Sequence, residues 1–290
     1  MKGFPLPGTG RATVAVPAPA TGRGSWAGAP SAASDDDGTF AVAYRIRVVD
    51  QDIATTVVAR TDDGERLTPV VTLNKARFGA MSLERPALVR TETGAWRLYV
   101  CCATPGSKHW WIDALEAADP EGLADAEPRT VFPGDEQTGL KDPVIRRANG
   151  RWHAWICCHP LDKPDEEDRM TTAYATSDDG LGWDWHGTAL APRPGTWDAR
   201  GARVTAVLPD GRATYDGRAT KEENFSERTG LAWPAGEPGR LVQGDEGPVS
   251  DVRYLDILPL SDGGHLLSYE APLPDGSHEL RIELISARAS

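Results

Sequence analysis

A unit of short strands and glycine turns recurs about five times along the chain, and it limits the possible folds more than any single motif does. A start segment ending in Pro or a charged residue leads into a strand, a Gly turn and a second strand ending on an aromatic. One copy reads Glu84-Arg85-Pro86, strand Ala87 to Arg90, turn Glu92-Thr93-Gly94, strand Trp96 to Cys102. The next reads Lys141-Asp142-Pro143, strand Val144 to Arg147, turn Asn149-Gly150, strand Trp152 to Cys158. Trp96 matches Trp152 and Cys101-Cys102 matches Cys157-Cys158, both at an offset of 56 residues. A period of that size built from strands predicts propeller blades. The natural place for a site in such a fold is the mouth of the central channel.

The rest of the chain follows the same plan. Blade 1 starts near Trp26, turns at Asp37-Gly38 and turns again at Asp62-Asp63-Gly64. Blade 2 runs from about Glu84 to Phe132, and blade 3 from about Asp142 to Leu190 with the turn Asp178-Asp179-Gly180. Blade 4 starts near Arg203 and blade 5 near Arg253. Blade 5 lacks a fourth strand, and Arg11 to Val16 is a spare strand at the other end of the chain. The expectation is an all-β, five-bladed β-propeller spanning residues 1–290 as a single domain, closed by the N-terminal strand, which removes two open edges. The acidic, Pro-containing stretch Leu161 to Arg169 reads as a long loop.

Composition narrows the function. A net charge of −12 argues against nucleic acid or an anionic membrane as partner. No apolar stretch approaches a membrane span, and Met1-Lys2-Gly3-Phe4-Pro5 lacks the apolar core of a secretory signal, so a cytoplasmic location is expected. The four cysteines form two vicinal pairs. Vicinal cysteines rarely bridge, and Cys-Cys is not the usual zinc spacing, so reduced, buried thiols acting as small core hydrophobes are expected. The six His are scattered, and no phosphate loop, dinucleotide fingerprint or nucleophile elbow is present. Neither cofactor nor metal is expected.

Blade geometry sorts the charged residues by face. The Asp-Gly turns lie on one face, where Asp forms turns. The opposite face collects strand-one starts (Trp26, Glu84, Asp142, Asp198, Arg203, Asp251, Arg253), strand-two ends (Arg45, His159, Asp216, Arg218, Glu270) and the loops after them (Lys108, His109, Trp110, Asp168, Glu227, Arg228). Paired carboxylates across a cavity suit acid–base or glycosyl chemistry, while Arg can fix hydroxyls and Trp can stack on sugar faces. A ring of neutralising salt bridges is the competing reading of the same residues. Glu227 or Asp216 is expected to face the central cavity with Asp142, and Glu227 is expected to lie partly shielded below Phe225. Shielding would raise its pKa toward that of a general acid, and Arg would oppose the shift.

At these residues the chain resembles the five-bladed propellers of glycoside hydrolase family 43 and its relatives, families 32, 68, 117 and 130. Lys141-Asp142-Pro143 is similar to their Asp-Pro blade start. Ser177-Asp178-Asp179-Gly180-Leu181-Gly182-Trp183 is similar to their Ser-x-Asp-Gly-x-x-Trp turn. Ala43-Tyr44-Arg45 and Glu84-Arg85-Pro86 resemble family 130 motifs, with Arg85 where Asp stands in the family. Family 43 enzymes place a base Asp at the start of blade 1, where this chain has Ala27-Gly28-Ala29-Pro30. Their acidic Glu-Gly-Pro recurs only as Glu246-Gly247-Pro248, before blade 5. Asp142 matches the family's pKa-tuning Asp. A sialidase Asp-box fits less well, because Asp179 abuts Gly180. The resemblance implies a small carbohydrate or glycoside as partner, with Asp142, Glu84, Glu227, Glu270 and Asp216 as candidate catalytic carboxylates. Candidate substrate-binding residues are Trp26, Arg45, His159, Arg203, Arg253 and Trp110. The alternative is a catalytically silent propeller that binds a sugar or natural product at the same mouth.

Overall fold

The computed structural model describes residues 3–287. Its strands are β1 (Arg11–Val16), β2 (Ser25–Ser34), β3 (Phe40–Val48), β4 (Ile53–Thr61), β5 (Thr68–Asn74), β6 (Ala87–Arg90), β7 (Trp96–Ala103), β8 (Trp110–Ala117), β9 (Arg129–Phe132) and β10 (Thr138–Ala148). They continue with β11 (Arg151–Pro160), β12 (Thr171–Ser177), β13 (Asp184–Leu190), β14 (Gly201–Val207), β15 (Ala213–Arg218), β16 (Arg228–Pro234), β17 (Leu241–Gln243), β18 (Arg253–Pro259), β19 (His265–Pro272) and β20 (His278–Ile285). Helix among the described residues is confined to three short 3-10 segments, and no helix is long and apolar enough to cross a membrane.

Strands β6–β9, β10–β13 and β14–β17 form three separate four-stranded sheets, each antiparallel and in chain order. Strands β2–β5 and β18–β20 share one sheet, but a single parallel bridge, Trp26 to His278, is all that joins the two runs. β1 lies antiparallel along β20, from Arg11 opposite Leu284 to Val16 opposite Leu280. It therefore covers an edge that would otherwise present unpaired backbone groups. The first strands of successive runs touch one another: β2 meets β6, β6 meets β10, β10 meets β14, β14 meets β18, and β18 also meets β2. Their starts line one cavity and their far ends line another.

The sequence explains the packing between units. Both faces of β7 are covered, so alternate side chains enter different cores. Cys102 joins Leu83, Leu98 and Val58 on one side, while Cys101 joins Tyr99, Ile112 and Trp152 on the other. Adjacent cysteines thus point apart, and all four thiols are free. Trp96 and Trp152, the repeat's paired tryptophans, are 1% and 0% exposed; burying an apolar side chain stabilises by about 1.5–3 kcal/mol. The Asp-Gly turns are structural. Asp63 Oδ1 accepts from the amides of Glu65 and Arg66 at 2.8 and 2.9 Å, and Asp179 Oδ1 does the same for Leu181 and Gly182 at 2.8 and 2.9 Å. Gly180, at φ +74°, leaves no room for a side chain: a Cβ would fall 2.4 Å from Arg97 Nη1.

Candidate functional site

The first strands are irregular where they line the site. Pairing with the second strand slips between Gly28 and Ser31, between Lys141 and Val144, between Val204 and Ala206, and between Arg253 and Asp256. At three of these slips a non-glycine residue is left-handed: Ala29 (φ 50°), Asp142 (φ 52°) and Tyr254 (φ 51°). Each costs on the order of 1–2 kcal/mol, so surrounding contacts must hold it. Asp142 is the clearest case. Its carboxylate accepts from the Arg85 amide at 3.2 Å, Arg203 Nη1 at 3.0 Å and Tyr254 Oη at 3.4 Å, and its own amide donates to Cys101 Sγ at 3.3 Å. Cys101 is therefore more than a core hydrophobe, since its Sγ also donates to the Arg85 carbonyl at 2.9 Å.

Above this floor lies a cavity of about 350 Å³. All six residues expected to contact substrate (Trp26, Arg45, His159, Arg203, Arg253 and Trp110) line it. Of the five candidate carboxylates, Glu84 and Glu227 line it, whereas Asp142, Asp216 and Glu270 lie beneath, each 0% exposed. The arginines connect the two tiers. Arg203 bridges Asp142 at 3.0 Å and Asp216 at 2.6 Å. Arg45 pairs with Glu84 and lies 3.4 Å from Glu270, and Arg47 reaches Glu84 at 2.6 Å. Arg218 pairs with Glu227, while Arg253 lies 3.1 Å from Glu227 and 3.0 Å from Glu270. The Tyr254 ring sits among three guanidinium groups, those of Arg203, Arg45 and Arg253, at 3.8, 5.0 and 5.2 Å.

These pairings set the protonation states. Burial raises the Glu227 pKa, but Arg253, Arg203 and Arg218 outweigh it and hold the carboxyl down to about 2. The expected general acid is therefore an ionised carboxylate. Burial likewise opposes ionisation of Glu84, and Arg47, Arg45 and Lys141 overcome it, leaving the pKa well below the usual range. Asp142 is also lowered, by Lys141 and Arg203 against burial. Asp216 goes the other way: burial raises it despite Arg203. Burial and then Lys141 push His159 down to about 3, so its ring is neutral at physiological pH.

The geometry corrects several expected placements. Asp198 belongs to a separate buried cluster with Arg193 at 3.1 Å and Tyr215 Oη at 2.7 Å, because β14 begins only at Gly201. Asp251 and Glu246 are exposed and away from the cavity. His109 turns back onto Thr104 at 2.7 Å, and Arg228 covers Trp197 at 5.6 Å. Where family 43 places its base, Ala29 is fully buried and Glu270 packs over its neighbour: a Cβ on Gly28 would fall 2.5 Å from Glu270 Oε2.

Sequence reading missed Tyr254, Arg47, Lys141 and Phe225 as cavity residues. Tyr254 and Lys141 adjoin the candidates Arg253 and Asp142, and that adjacency is the signal the sequence carries. Phe225 packs against Trp26 with the rings tilted and their centroids 4.8 Å apart, and Lys141 lies over the Trp110 ring at 4.8 Å with no carboxylate ion pair among the described residues. Arg85, which stands where the resembled family has Asp, runs between the first strands, donating to the carbonyls of Pro30 at 3.1 Å and Thr205 at 2.8 Å. Among the described residues no group of three or more His, Cys, Asp or Glu is placed to hold a metal ion.

No protein-family model matches the sequence, and no curated protein matches it. Solved structures do. A thermostable family-43 glycoside hydrolase superposes with a TM-score of 0.68 at 12% identity, over 94% of this chain and 92% of that one. β-1,2-Mannobiose phosphorylase from Listeria innocua, solved with β-1,2-mannobiose, gives 0.64 at 15% identity over 91% and 90%. α-L-Arabinofuranosidase from Lactobacillus brevis gives 0.64 at 14% identity over 89% and 90%. At these identities the likeness is one of fold: the chain carries the β-propeller architecture of the family 43-like glycoside hydrolases and phosphorylases, which its blade-start and turn motifs resemble.

Proposed function

We propose that the chain is a single-domain, five-bladed β-propeller closed by β1, and that it acts on a small glycoside in the cavity at the first-strand starts. Five four-stranded antiparallel runs, the contacts between first strands and the seating of β1 on β20 support the architecture. One observation carries the functional reading. Glu227 Oε2 and Arg253 Nη1 are buried and 3.1 Å apart, yet neither makes an aligned hydrogen bond. Buried polar atoms of this kind are costly unless satisfied, and sugar hydroxyls arriving from the cavity would satisfy both. Trp26 with Phe225, and Trp110 with His159, supply aromatic faces around the same space.

The chemistry follows from the protonation states. Glu227 and Glu84 are ionised, which suits a base, a nucleophile or a stabiliser of positive charge on an oxocarbenium-like sugar. The two candidate carboxylates that line the cavity are thus poor proton donors, and strong protonation of a basic leaving oxygen by either is not on offer. The reading therefore favours substrates whose leaving groups need little protonation, such as aryl glycosides or glycosyl phosphates. A binding role is the second reading, supported by Ala29 at the family's base position and by the Arg partner of every cavity carboxylate named above. A screen of chromogenic aryl glycosides, with and without phosphate, separates the two. Release of the aryl group supports the enzyme. Saturable sugar binding without release in any condition supports the binding module.

A further inference from the structure

The far ends of the first strands line a second cavity of about 320 Å³, open on the face opposite the proposed glycoside site. Its floor carries an unusual charge arrangement. Arg85 is 1% exposed; its Nη2 reaches Asp256 at 3.3 Å, and its Nη1 is buried with no hydrogen-bond partner. Arg146, on β10, has a buried Nη1 that is likewise unpartnered, and no ion pair holds this guanidinium among the described residues. Asp256 is the one carboxylate lining this cavity, and its other oxygen is taken by the Ala32 amide at 2.9 Å. The other two cavity arginines are neutralised elsewhere, Arg90 by Asp36 at 2.7 Å and Arg147 by Glu92. Two guanidiniums thus face one carboxylate, in a protein whose overall charge is −12.

Leaving guanidinium N–H groups buried and unpaired costs more than pairing them, and the net positive floor selects for an anion. The planar fork of Arg146 matches the oxygen pair of a small oxyanion, while Arg85, whose Nε and Nη2 are taken by Pro30, Thr205 and Asp256, offers its Nη1. We propose that this second cavity is an oxyanion site, held by Arg85 and Arg146, for a ligand such as sulfate, phosphate or a small carboxylate. The site is distinct from the glycoside cavity but joined to it by Arg85, whose backbone amide donates to Asp142 at 3.2 Å. An anion gripping the Arg85 side chain would steady the segment that positions Asp142. This inference does not rest on the glycosidase reading.

Thermal unfolding tests it, titrating sodium sulfate, sodium phosphate or sodium acetate against sodium chloride at constant ionic strength. The wild type is expected to show a saturating rise in Tm with at least one oxyanion, as linkage to a native-state ligand requires. Arg146→Met should lose the saturating component, and Arg146→Lys, which keeps the charge but not the fork, should weaken it about tenfold. Arg47→Gln, in the other cavity, should leave it intact. Response to sulfate and phosphate without acetate assigns a tetrahedral ligand; response to acetate assigns a carboxylate. An equal rise in chloride, an unchanged rise in both Arg146 variants, or loss in Arg47→Gln alone would each overturn the proposal.

Discussion

Replacing Arg203 by Met should destabilise the protein strongly and in a pH-dependent way. Arg203 is 2% exposed and bridges two fully buried carboxylates, Asp142 at 3.0 Å and Asp216 at 2.6 Å, while its Nη1 also meets Tyr254 Oη at 2.7 Å. Removing one partner of a buried pair leaves an uncompensated charge, at about 3–5 kcal/mol. Burial already raises the Asp216 pKa with Arg203 present. Without the arginine, Asp216 is raised further and Asp142 loses one of the positive charges that hold it down. An acid raised in the folded state destabilises it above that raised pKa, and the deficit is relieved as pH falls through it. The variant's deficit should therefore be largest near pH 7 and narrow toward pH 5. Adding Asp216→Asn should recover part of the loss, because the stranded charge is gone. Urea unfolding of wild type, single and double variants at several pH values measures all three effects. A deficit below about 1 kcal/mol at pH 7, the range of an exposed pair, or one that widens on acidification, would refute the buried-bridge reasoning.

Three further outcomes are expected. His159 is held neutral, its pKa lowered to about 3 by burial and then Lys141. It thus costs stability as pH falls below its unfolded value near 6.5, by about 1.4 kcal/mol per pH unit. His159→Gln should flatten the urea stability profile between pH 6.5 and 5 by that slope, and an unchanged slope would contradict it. Denatured protein without reductant should titrate four free thiols, in line with the four unbridged cysteines; fewer would contradict the reduced state. Deleting the chain through Val16 uncovers the β20 edge along which β1 runs, so Tm should fall and aggregation rise. A truncated protein as stable and monodisperse as the full chain would remove the closure argument.

The strands were legible because a 56-residue offset and the Asp-Gly turns mark strand ends directly, and β1 was legible because Arg11 to Val16 had no partner within its own unit. The face sorting also worked, since strand direction alone puts Trp26, Arg45, Glu84, Arg203 and Arg253 at one mouth. Depth was not legible. Whether a carboxylate lines the cavity, as Glu227 does, or lies below it, as Asp216 does, depends on the strand slips that turn Asp142 and Tyr254 left-handed. Protonation was illegible for the same reason. The Glu227 pKa follows from three arginines on three different strands, β15, β18 and β14, and no local window of sequence contains them. Arg85 stands where the resembled family has Asp, and its motif gives the residue type at the blade start and not the direction of a long side chain.

The most direct test of the account is turnover by Glu227→Gln, compared with wild type on the best aryl glycoside from the screen. Glu227 is ionised, lines the cavity and has a carboxylate oxygen free of aligned hydrogen bonds. The amide keeps the shape and removes the charge. kcat is expected to fall by about 10²–10⁴-fold, with the fold retained by circular dichroism. A well-folded Glu227→Gln protein that turns the glycoside over at the wild-type rate would contradict this expectation.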